Sequence, residues 1–344
     1  MLQPDPQVVV WEYTLRCNSK CLHCGSDAKL ARVNELNTKE SLDLVDQISG
    51  LGFNQIVLSG GEPTLRKDWY TISERVLERG LNLGIISNAL HWDAKTITKI
   101  SSLNAFGIGF SIDGEPELHD YLRGFLGSHK KVFDVIGQFK RKNTTVCAIT
   151  SVNHKNLEEL VLIRDRLIVY GVDAWQLQVS SPMGRMKQQQ DLVLTQDDYY
   201  RLTEFIIESR EKLPYMNVQA GDCIGYFGVL GSKVRDSVWD GCMAGIKGLG
   251  IESDGTVKGC LSLQTPLARE GNIRNRSLRE IWSDLKTFKY TRGFKLSDLK
   301  GDCSGCEHGA QCRGGCQSQS QAFHNEFSHA PYCLSRYEQK FRAE

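Results

Sequence analysis

The sequence lacks the features of a secreted, membrane-spanning or nucleic-acid-binding protein. Its 42 basic residues are balanced by 41 acidic residues, so no overall charge attracts it to nucleic acid or to a membrane surface. The opening segment, MLQPDPQ, has neither a basic cluster nor an apolar run, so it is not a secretory signal peptide. No apolar stretch is long enough to span a bilayer. We therefore expect a soluble, cytoplasmic protein with no nucleic-acid or membrane partner.

What the sequence has in excess is cysteine. Its 344 residues include 12 cysteines, although thiols in the cytoplasm stay reduced and rarely form disulfides. Metal ligation is the leading explanation for such a number. The cysteines are also clustered, with three in residues 17–24 and four in residues 303–316.

Strand-like and helix-like segments alternate from Val8 to about residue 210. Such alternation predicts βαβ units around a parallel sheet. Six units are too few for a closed eight-stranded barrel, so we expect an α/β fold with a partial (β/α)6 barrel whose chemistry lies at the carboxyl ends of the strands. The strand predictions are Val8–Tyr13, Gln55–Ser59, Leu83–Ser87, Phe106–Ser111, Thr145–Ser151 and Ala174–Val179. The helix predictions are Glu40–Gly50, Trp69–Arg79, Ala94–Ile100, Lys130–Arg141, Leu157–Tyr170 and Asp197–Glu211.

After about residue 212 glycine and cysteine become dense and the periodicity fades. A segment of this kind buries little apolar surface and usually depends on bound metal for its stability. We therefore predict two domains, a barrel in residues 1–211 and a C-terminal cysteine-rich domain with its linker in residues 212–344.

The first cysteine cluster, Cys17, Cys21 and Cys24, directly follows the first predicted strand with the spacing C-x3-C-x2-C. Three thiolates on one short loop can hold three irons of a [4Fe–4S] cube, which leaves the fourth iron open to a small molecule. The alternative is a structural zinc site. Zinc in such sites normally takes four protein ligands, and no fourth is evident here.

This spacing resembles the signature of the radical S-adenosylmethionine (radical SAM) superfamily, and the resemblance covers essentially the whole chain. A second motif agrees with it, because Ser59-Gly60-Gly61-Glu62-Pro63 ends the second predicted strand. In that family the corresponding loop receives the amino group of S-adenosylmethionine. The residue types suit this role, since glycine permits close approach to a ligand and a carboxylate pairs with an ammonium group.

The same resemblance implies further contacts to S-adenosylmethionine. Arg123 resembles an arginine that pairs with the methionine carboxylate, although a surface position on a helix is an equally good reading of it. His23 corresponds to a position near the adenine, or else faces solvent. The remaining implied contacts to the ribose and methionine parts are Ser87, Asn88, Ser111 and Asp113.

The C-terminal cysteines resemble the seven-cysteine SPASM extension of peptide-modifying radical enzymes. Cys242, Gly255 and Cys260 come first, then Cys303-x2-Cys306-x5-Cys312-x3-Cys316, and Cys333 follows. The resemblance implies two auxiliary iron–sulfur clusters, expected to be [4Fe–4S]. It gives Cys242, Cys260 and Cys316 to the first cluster, and Cys303, Cys306, Cys312 and Cys333 to the second. Spacing alone instead allows Cys303–Cys316 to share one metal, such as zinc.

Some family members have a further cysteine between the equivalents of Cys242 and Cys260, and this chain has none. The first auxiliary cluster is therefore expected to keep an open iron or to take Cys223 as a ligand, unless Cys223 is a simple loop thiol. Cys147, inside a predicted strand, is assigned to the core. Tyr226 is assigned to packing, and no catalytic acid or base is identified.

The resemblance implies an enzyme that reductively cleaves S-adenosylmethionine to methionine and a 5′-deoxyadenosyl radical, which removes hydrogen from a carbon atom. The expected substrate is a ribosomally made precursor peptide, modified by a carbon–carbon or thioether crosslink, residue excision or a related oxidation. Small-molecule or porphyrin side-chain chemistry, as in haem biosynthesis, is an alternative. A non-enzymatic iron–sulfur electron carrier fits less well, because a carrier needs no open iron.

Two protein partners are also expected. Few residues precede the first predicted strand or follow Cys333, so a fused peptide-recognition domain does not fit at either end, and a separate small leader-peptide recognition protein is expected. Reduction of the first cluster needs a flavodoxin- or ferredoxin-type reductant.

Overall fold

The structure is a computed structural model that describes residues 2–225 and 230–342. For residues 340–342 it describes the backbone alone. Tyr226 lies outside the described residues.

One continuous β-sheet organises the described part of the chain. Its ten strands run in the order β10-β9-β8-β1-β2-β3-β4-β5-β6-β7. From β8 through β1 to β7 all neighbouring strands are parallel, and β9 and β10 add antiparallel pairings at one edge. The strands are β1 (Val8–Thr14), β2 (Gln55–Gly60), β3 (Asn82–Ser87), β4 (Gly107–Ser111), β5 (Val146–Val152), β6 (Ala174–Val179), β7 (Asn217–Ala220), β8 (Gly248–Ile251), β9 (Thr256–Lys258) and β10 (Gly271–Asn272).

Helices connect the parallel strands, so the predicted partial α/β barrel is confirmed. The first seven helices are α1 (Thr38–Gly50), α2 (Trp69–Glu78), α3 (Ala94–Ser102), α4 (Pro116–Arg123), α5 (Ser128–Lys140), α6 (Leu160–Val169) and α7 (Gln196–Lys212). Those of the C-terminal region are α8 (Gly231–Val234), α9 (Leu278–Ser283), α10 (Lys289–Arg292), α11 (Gly309–Cys312), α12 (Gln317–His324) and α13 (Leu334–Arg342). Of the described residues, no helix is long and apolar enough to cross a bilayer.

The strands alternate between two environments. On one face, side chains such as Trp11, Phe110 and Trp175 are completely buried and join the helices in a single core. Burying a large apolar side chain stabilises the fold by roughly 1.5–3 kcal/mol, so this face fixes the strand register. The other face, which we call the concave face, carries the alternate residues of the barrel strands. Most of these are half-buried rather than packed.

Two elements of the barrel were missed by the sequence analysis. The segment around Arg123 forms helix α4, which runs from Pro116 to Arg123 and is capped by Gly124 in the left-handed conformation. Strand β7 extends the sheet beyond the six predicted strands. Both are short, at 8 and 4 residues, so periodicity in the sequence gives little signal for them.

The C-terminal region is joined to the barrel through the sheet itself. Strand β8 pairs with β1, and Gly250 of β8 packs so closely that an added Cβ atom would lie 2.5 Å from the backbone nitrogen of Leu261. The segment after Cys260 therefore lies directly on the concave face. The predicted domain boundary at residue 211 stays a prediction. Strands from both sides of this boundary belong to one sheet.

Candidate active site

The loop that carries Cys17, Cys21 and Cys24 begins at the carboxyl end of β1 and is held by backbone hydrogen bonds on two sides. The amide of Cys17 donates to the carbonyl of Lys29 at 3.2 Å, and the amide of Leu22 donates to the carbonyl of Leu122 at 2.8 Å. The second bond ties the loop to helix α4. The three thiols are therefore presented at the edge of the sheet where chemistry is expected in a parallel α/β fold.

The thiols of this loop differ in their electrostatic environment. Burial raises the pKa of Cys17 to about 11. Burial also opposes ionisation of Cys21, but the Arg123 guanidinium, His23 and the Ser19 hydroxyl favour its thiolate and lower its pKa. Arg123 Nη1 lies 3.3 Å from Cys21 Sγ, and Ser19 Oγ lies 3.2 Å from it. The thiolate is the form that binds a metal, so this environment prepares Cys21 as a ligand.

A buried ionic group lies beside Cys21. The Asp113 carboxylate is 3.1 Å from Arg123 Nε and 3.2 Å from His23 Nε2, and it accepts a hydrogen bond from the amide of Ser151. Burial opposes its ionisation, but the charges of Arg123 and His23 outweigh burial and lower the pKa of Asp113. Arg123 and His23 are thus neither surface nor solvent-facing residues.

The Glu62 carboxylate is completely buried and fully engaged by the protein. It accepts hydrogen bonds from the Thr64 hydroxyl at 2.5 Å, the Ser87 hydroxyl at 2.9 Å and the Asn88 amide at 2.9 Å. It therefore locks the loop after β2 to the end of β3. The side-chain amide of Asn88 then donates to Asn18 Oδ1 at 2.9 Å, which connects this anchor to the cysteine loop.

The two glycines before Glu62 are required by backbone packing. An added Cβ atom on Gly61 would lie 2.1 Å from the carbonyl oxygen of Arg16, and one on Gly60 would lie 2.4 Å from that of Thr14. Gly60 also has a φ of +119°. The sequence predicts that these glycines permit close approach of a ligand, whereas in the structure they let the loop pack against the strand end that precedes Cys17.

The other predicted cofactor-binding residues lie at the same edge. Ser59 is the penultimate residue of β2, opposite Glu12, and Ser111 ends β4 opposite Ile149; both are half-buried on the concave face. Pro63 is buried at the start of a 3₁₀ turn. The structure thus brings the predicted residues of four neighbouring strand ends together around one loop.

A first set of thiols lies at the junction of barrel and C-terminal region. Burial and the neighbouring Cys316 thiol raise the pKa of Cys242 to about 12 and that of Cys260 to about 11. The same two causes raise the pKa of Cys223 to about 12. Cys223 also accepts a hydrogen bond from the amide of Val179, at the end of β6. Cys316 is therefore the common neighbour of Cys223, Cys242 and Cys260.

A second set of thiols is formed by Cys303, Cys306, Cys312 and Cys333. Burial raises the pKa of Cys312 to about 12, and the thiols of Cys333, Cys303 and Cys306 add to the effect. Cys303 has Cys333 and Cys306 as its thiol neighbours. One pocket is lined by this set and by Cys223 and Cys316 of the first. Cys147 belongs to neither set, and its thiol contacts the carbonyl of Ala148. Its assignment to the core was wrong, because Val146 and Ala148 point into the core and Cys147 alternates with them onto the half-buried concave face.

A single zinc ion and an iron–sulfur cube differ in how their protein ligands are arranged. Among the described residues, no three or more His, Cys, Asp or Glu side chains are grouped to hold a single metal ion. A zinc site needs four ligands within about 2.3 Å of one point. Thiolates around an iron–sulfur cube bind separate irons and stand further apart.

The site also contains buried polar atoms that suit a ligand. Arg123 Nη2 and His23 Nδ1 are buried without a hydrogen-bond partner among the described residues. Unpaired buried polar groups are costly, and a carboxylate or other acceptor would satisfy the guanidinium. These atoms fit the predicted binding of S-adenosylmethionine beside Cys21.

Sequence reasoning missed several residues of the site. Ser19 donates to the carbonyl of Arg123 at 2.7 Å, and Arg185 donates to the carbonyl of Cys21 at 2.9 Å. His119 accepts a hydrogen bond from the amide of Asp113 at 3.1 Å. Ser19 lies within the cysteine motif and was open to prediction. Arg185 is 164 residues from Cys21 in sequence, so no local sequence pattern predicts their contact.

Comparison with known proteins decides the family. The Radical SAM superfamily model matches residues 11–167, and the SPASM model, an iron–sulfur cluster-binding domain, matches residues 242–307. The chain belongs to the radical SAM superfamily. It is a radical SAM enzyme with a SPASM domain, and its cofactors are S-adenosylmethionine and iron–sulfur clusters.

This radical SAM enzyme is similar to two curated relatives and to one solved structure. It is 27% identical to the AdoMet-dependent heme synthase of Methanosarcina barkeri, over 96% of this chain and 97% of the relative. It is 26% identical to the PqqA peptide cyclase of Rhizobium meliloti, over 96% and 87%. The structure of Streptococcus suis SuiB bound to precursor peptide SuiA superposes with a TM-score of 0.76 at 18% identity, over 92% and 73%, which supports the fold.

Proposed function

We propose that this radical SAM enzyme modifies a ribosomally made precursor peptide. The observation that supports this most is a row of uncharged amide side chains on the concave face. Gln176 of β6 lies opposite Gln219 of β7, and Gln178 of β6 lies opposite Ser151 of β5. A glutamine amide both donates and accepts hydrogen bonds, as the peptide backbone does.

The charges on the concave face support the same substrate class. Among the described strands, the charged residues of this face are Glu12 and Lys258, and each forms an ion pair with a residue of opposite charge. Glu12 is 2.9 Å from Arg32 Nε, and Lys258 Nζ is 2.5 Å from Glu252. A substrate with several carboxylates would need free cations there. A largely neutral peptide segment needs none.

The cofactors would be held by the residues described above. Cys17, Cys21 and Cys24 would bind the first cluster, and Arg123 and His23 would supply donors to S-adenosylmethionine. Cys242, Cys260, Cys316 and Cys223 would bind one auxiliary cluster, and the second thiol set would bind the other. The bound cofactors supply reductive cleavage of S-adenosylmethionine, which generates the radical that removes hydrogen from the substrate.

A second candidate function is porphyrin side-chain chemistry. It is favoured by similarity to relatives named AdoMet-dependent heme synthase, which match as much of the chain as the relatives named for peptides do. The neutral concave face disfavours this function, because the propionate carboxylates of a porphyrin would need free cations there.

The two functions are separated by one assay. The reconstituted enzyme is incubated with S-adenosylmethionine and reductant, and either with short peptides encoded beside its gene or with an iron-bound propionate-bearing porphyrin. We expect a mass change in a peptide and none in the porphyrin. Loss of carbon dioxide from porphyrin propionates without any peptide product would contradict the proposal.

A matched pair of variants connects the assay to the structure. Gln176→Glu places a negative charge in the amide row, and we expect it to raise KM for the peptide by about tenfold, as lost hydrogen bonding and added charge require. Cys147→Ser, on the same face of neighbouring β5, is the control and should leave KM unchanged. The predicted leader-recognition protein would be tested by comparing peptide binding with and without that protein.

A further inference from the structure

We propose that five basic residues around the cysteine loop form a docking surface for a small acidic one-electron carrier protein. These residues, which we call the basic face, are Arg16, Lys20, Lys29, Arg185 and Lys187. The inference depends on the radical SAM chemistry of the chain and not on the proposed peptide substrate.

The basic face directly surrounds the loop that carries the three cysteines. Arg16 and Lys29 are joined by an isolated β-bridge across the two ends of that loop. Lys20 immediately precedes Cys21, and its amide donates to the carbonyl of Arg123. Electron tunnelling weakens steeply with distance, so a carrier bound beside this loop would lie close to the first cluster.

The Arg185 segment closes the other side of the loop. The amide of Arg185 donates to the carbonyl of Cys24 at 3.0 Å, and its guanidinium donates to the carbonyls of Cys21 and Ala28. Gly184 fits so closely that an added Cβ atom would lie 2.4 Å from the Cys24 carbonyl oxygen. Lys187, exposed in the same 3₁₀ turn, is thereby fixed next to the cysteines.

The segments around the cysteine loop are more basic than the chain as a whole. The whole sequence has a formal net charge of +1, yet residues 15–31 and 183–189 contain five basic residues and one acidic residue, Asp27. Asp27 is itself paired with Arg185 at 2.7 Å. A concentrated positive surface speeds encounter with an acidic partner and orients it.

Exposed apolar side chains accompany the charges. Leu30 is 73% exposed next to Lys29, and Leu126 is 92% exposed in the loop after α4. That loop touches Lys20, because an added Cβ atom on Gly124 would lie 2.8 Å from the Lys20 carbonyl oxygen. Apolar contacts ringed by charge are typical of protein–protein interfaces. Together they describe a protein partner rather than a free anion.

The electron count is simple. The carrier loses one electron, and S-adenosylmethionine accepts it as its carbon–sulfur bond breaks to give methionine and the 5′-deoxyadenosyl radical. The acidic carrier is thus the reductant, and its class is that of flavodoxins and ferredoxins.

The test is the variant Lys20→Glu/Lys29→Glu/Lys187→Glu, assayed for 5′-deoxyadenosine formation without any peptide. With reduced flavodoxin as the electron source, we expect kcat/KM for flavodoxin to fall by about tenfold or more and its salt dependence to flatten. With dithionite or titanium(III) citrate, the rate should stay within about twofold of wild type. The control is Lys142→Glu/Lys286→Glu/Lys289→Glu, at exposed positions away from the cysteine loop, which should change neither rate.

Three results would contradict the docking of the carrier on the basic face. An equal loss with both kinds of reductant, or no loss with flavodoxin, would overturn the inference. Unchanged flavodoxin kinetics with weakened peptide binding would assign the face to the substrate and also overturn it. Iron content equal to wild type shows that the variant is folded and loaded.

Discussion

The Arg123 guanidinium lies 3.1 Å from the Asp113 carboxylate, which is buried, while the Arg123 side chain is 11% exposed. The other side of the same guanidinium lies 3.3 Å from the Cys21 thiol. Arg123 thus joins the end of β4 to the cysteine loop through helix α4. This relationship helps to fix the cysteine loop in position, together with the packing of Leu22 against Leu122 and Met186.

The first prediction concerns this ion pair. Asp113→Asn removes the charge that compensates Arg123, and leaving a buried charge without its partner costs about 3–5 kcal/mol. We expect the melting temperature to fall clearly, with loss of iron from the first cluster. Asp134→Asn is the control, because Asp134 pairs with Lys130 at an exposed helix position and should change the free energy of unfolding by less than about 0.5 kcal/mol. Equal effects of the two substitutions would contradict this account.

The second prediction concerns pH. Burial, with Arg123 nearby, lowers the pKa of His119 to about 3. In the unfolded chain the imidazole titrates near 6.5, so below that pH the unfolded state binds a proton that the folded state does not. The stability that neutral His119 contributes is therefore fully present above pH 6.5 and is lost as the pH falls toward 3.

Urea unfolding at pH 7.5 and pH 5.5 measures this loss. His119 should contribute a decrease of about 1.4 kcal/mol over this interval, and His119→Asn should remove that component of the pH dependence. An identical pH dependence in wild type and variant would show that His119 is not held neutral in the fold.

The third prediction concerns the glycine loop. Gly61→Ala places a Cβ atom 2.1 Å from the Arg16 carbonyl oxygen, so the loop and the strand end before Cys17 must separate. We expect binding of S-adenosylmethionine, measured by equilibrium dialysis, to weaken by about tenfold or more. Gly107→Ala is the matched control, because nothing lies within 4 Å of an added Cβ atom there. Normal binding by Gly61→Ala would rule out this packing constraint.

The fourth prediction concerns Cys223. Its thiol shares the neighbour Cys316 with Cys242 and Cys260, so Cys223→Ser should alter the electron paramagnetic resonance spectrum of the first auxiliary cluster or reduce its iron content. Cys147→Ser should do neither. An unchanged spectrum in Cys223→Ser would instead favour an open iron in that cluster.

Much of the fold follows from the sequence because its signals are local. The six predicted barrel strands are short apolar runs separated by helix-like segments, and the strand Ala174–Val179 was predicted with its observed bounds. The cysteine spacing likewise lies within short segments. These features need no knowledge of which strands become neighbours.

What the sequence did not reveal depends on tertiary contacts. Strand β8 pairs with β1 although about 240 residues separate them, and no local pattern signals such a pairing. Arg185 reaches Cys21 through packing of two loops, and the roles of Gly60 and Gly61 follow from the backbone of residues 14–16. The pairing of Cys316 with Cys242 and Cys260 came from family resemblance, since spacing alone favours its sequence neighbours.

The central claim is that the chain binds three iron–sulfur clusters and uses the first to cleave S-adenosylmethionine. The most direct measurement counts iron and sulfide after anaerobic reconstitution, in wild type and in Cys17→Ala/Cys21→Ala/Cys24→Ala, together with 5′-deoxyadenosine formation. The account predicts iron well above one cube in wild type, with one cube lost and 5′-deoxyadenosine formation abolished in the variant. A single cube in wild type accompanied by bound zinc would contradict the assignment of the auxiliary clusters.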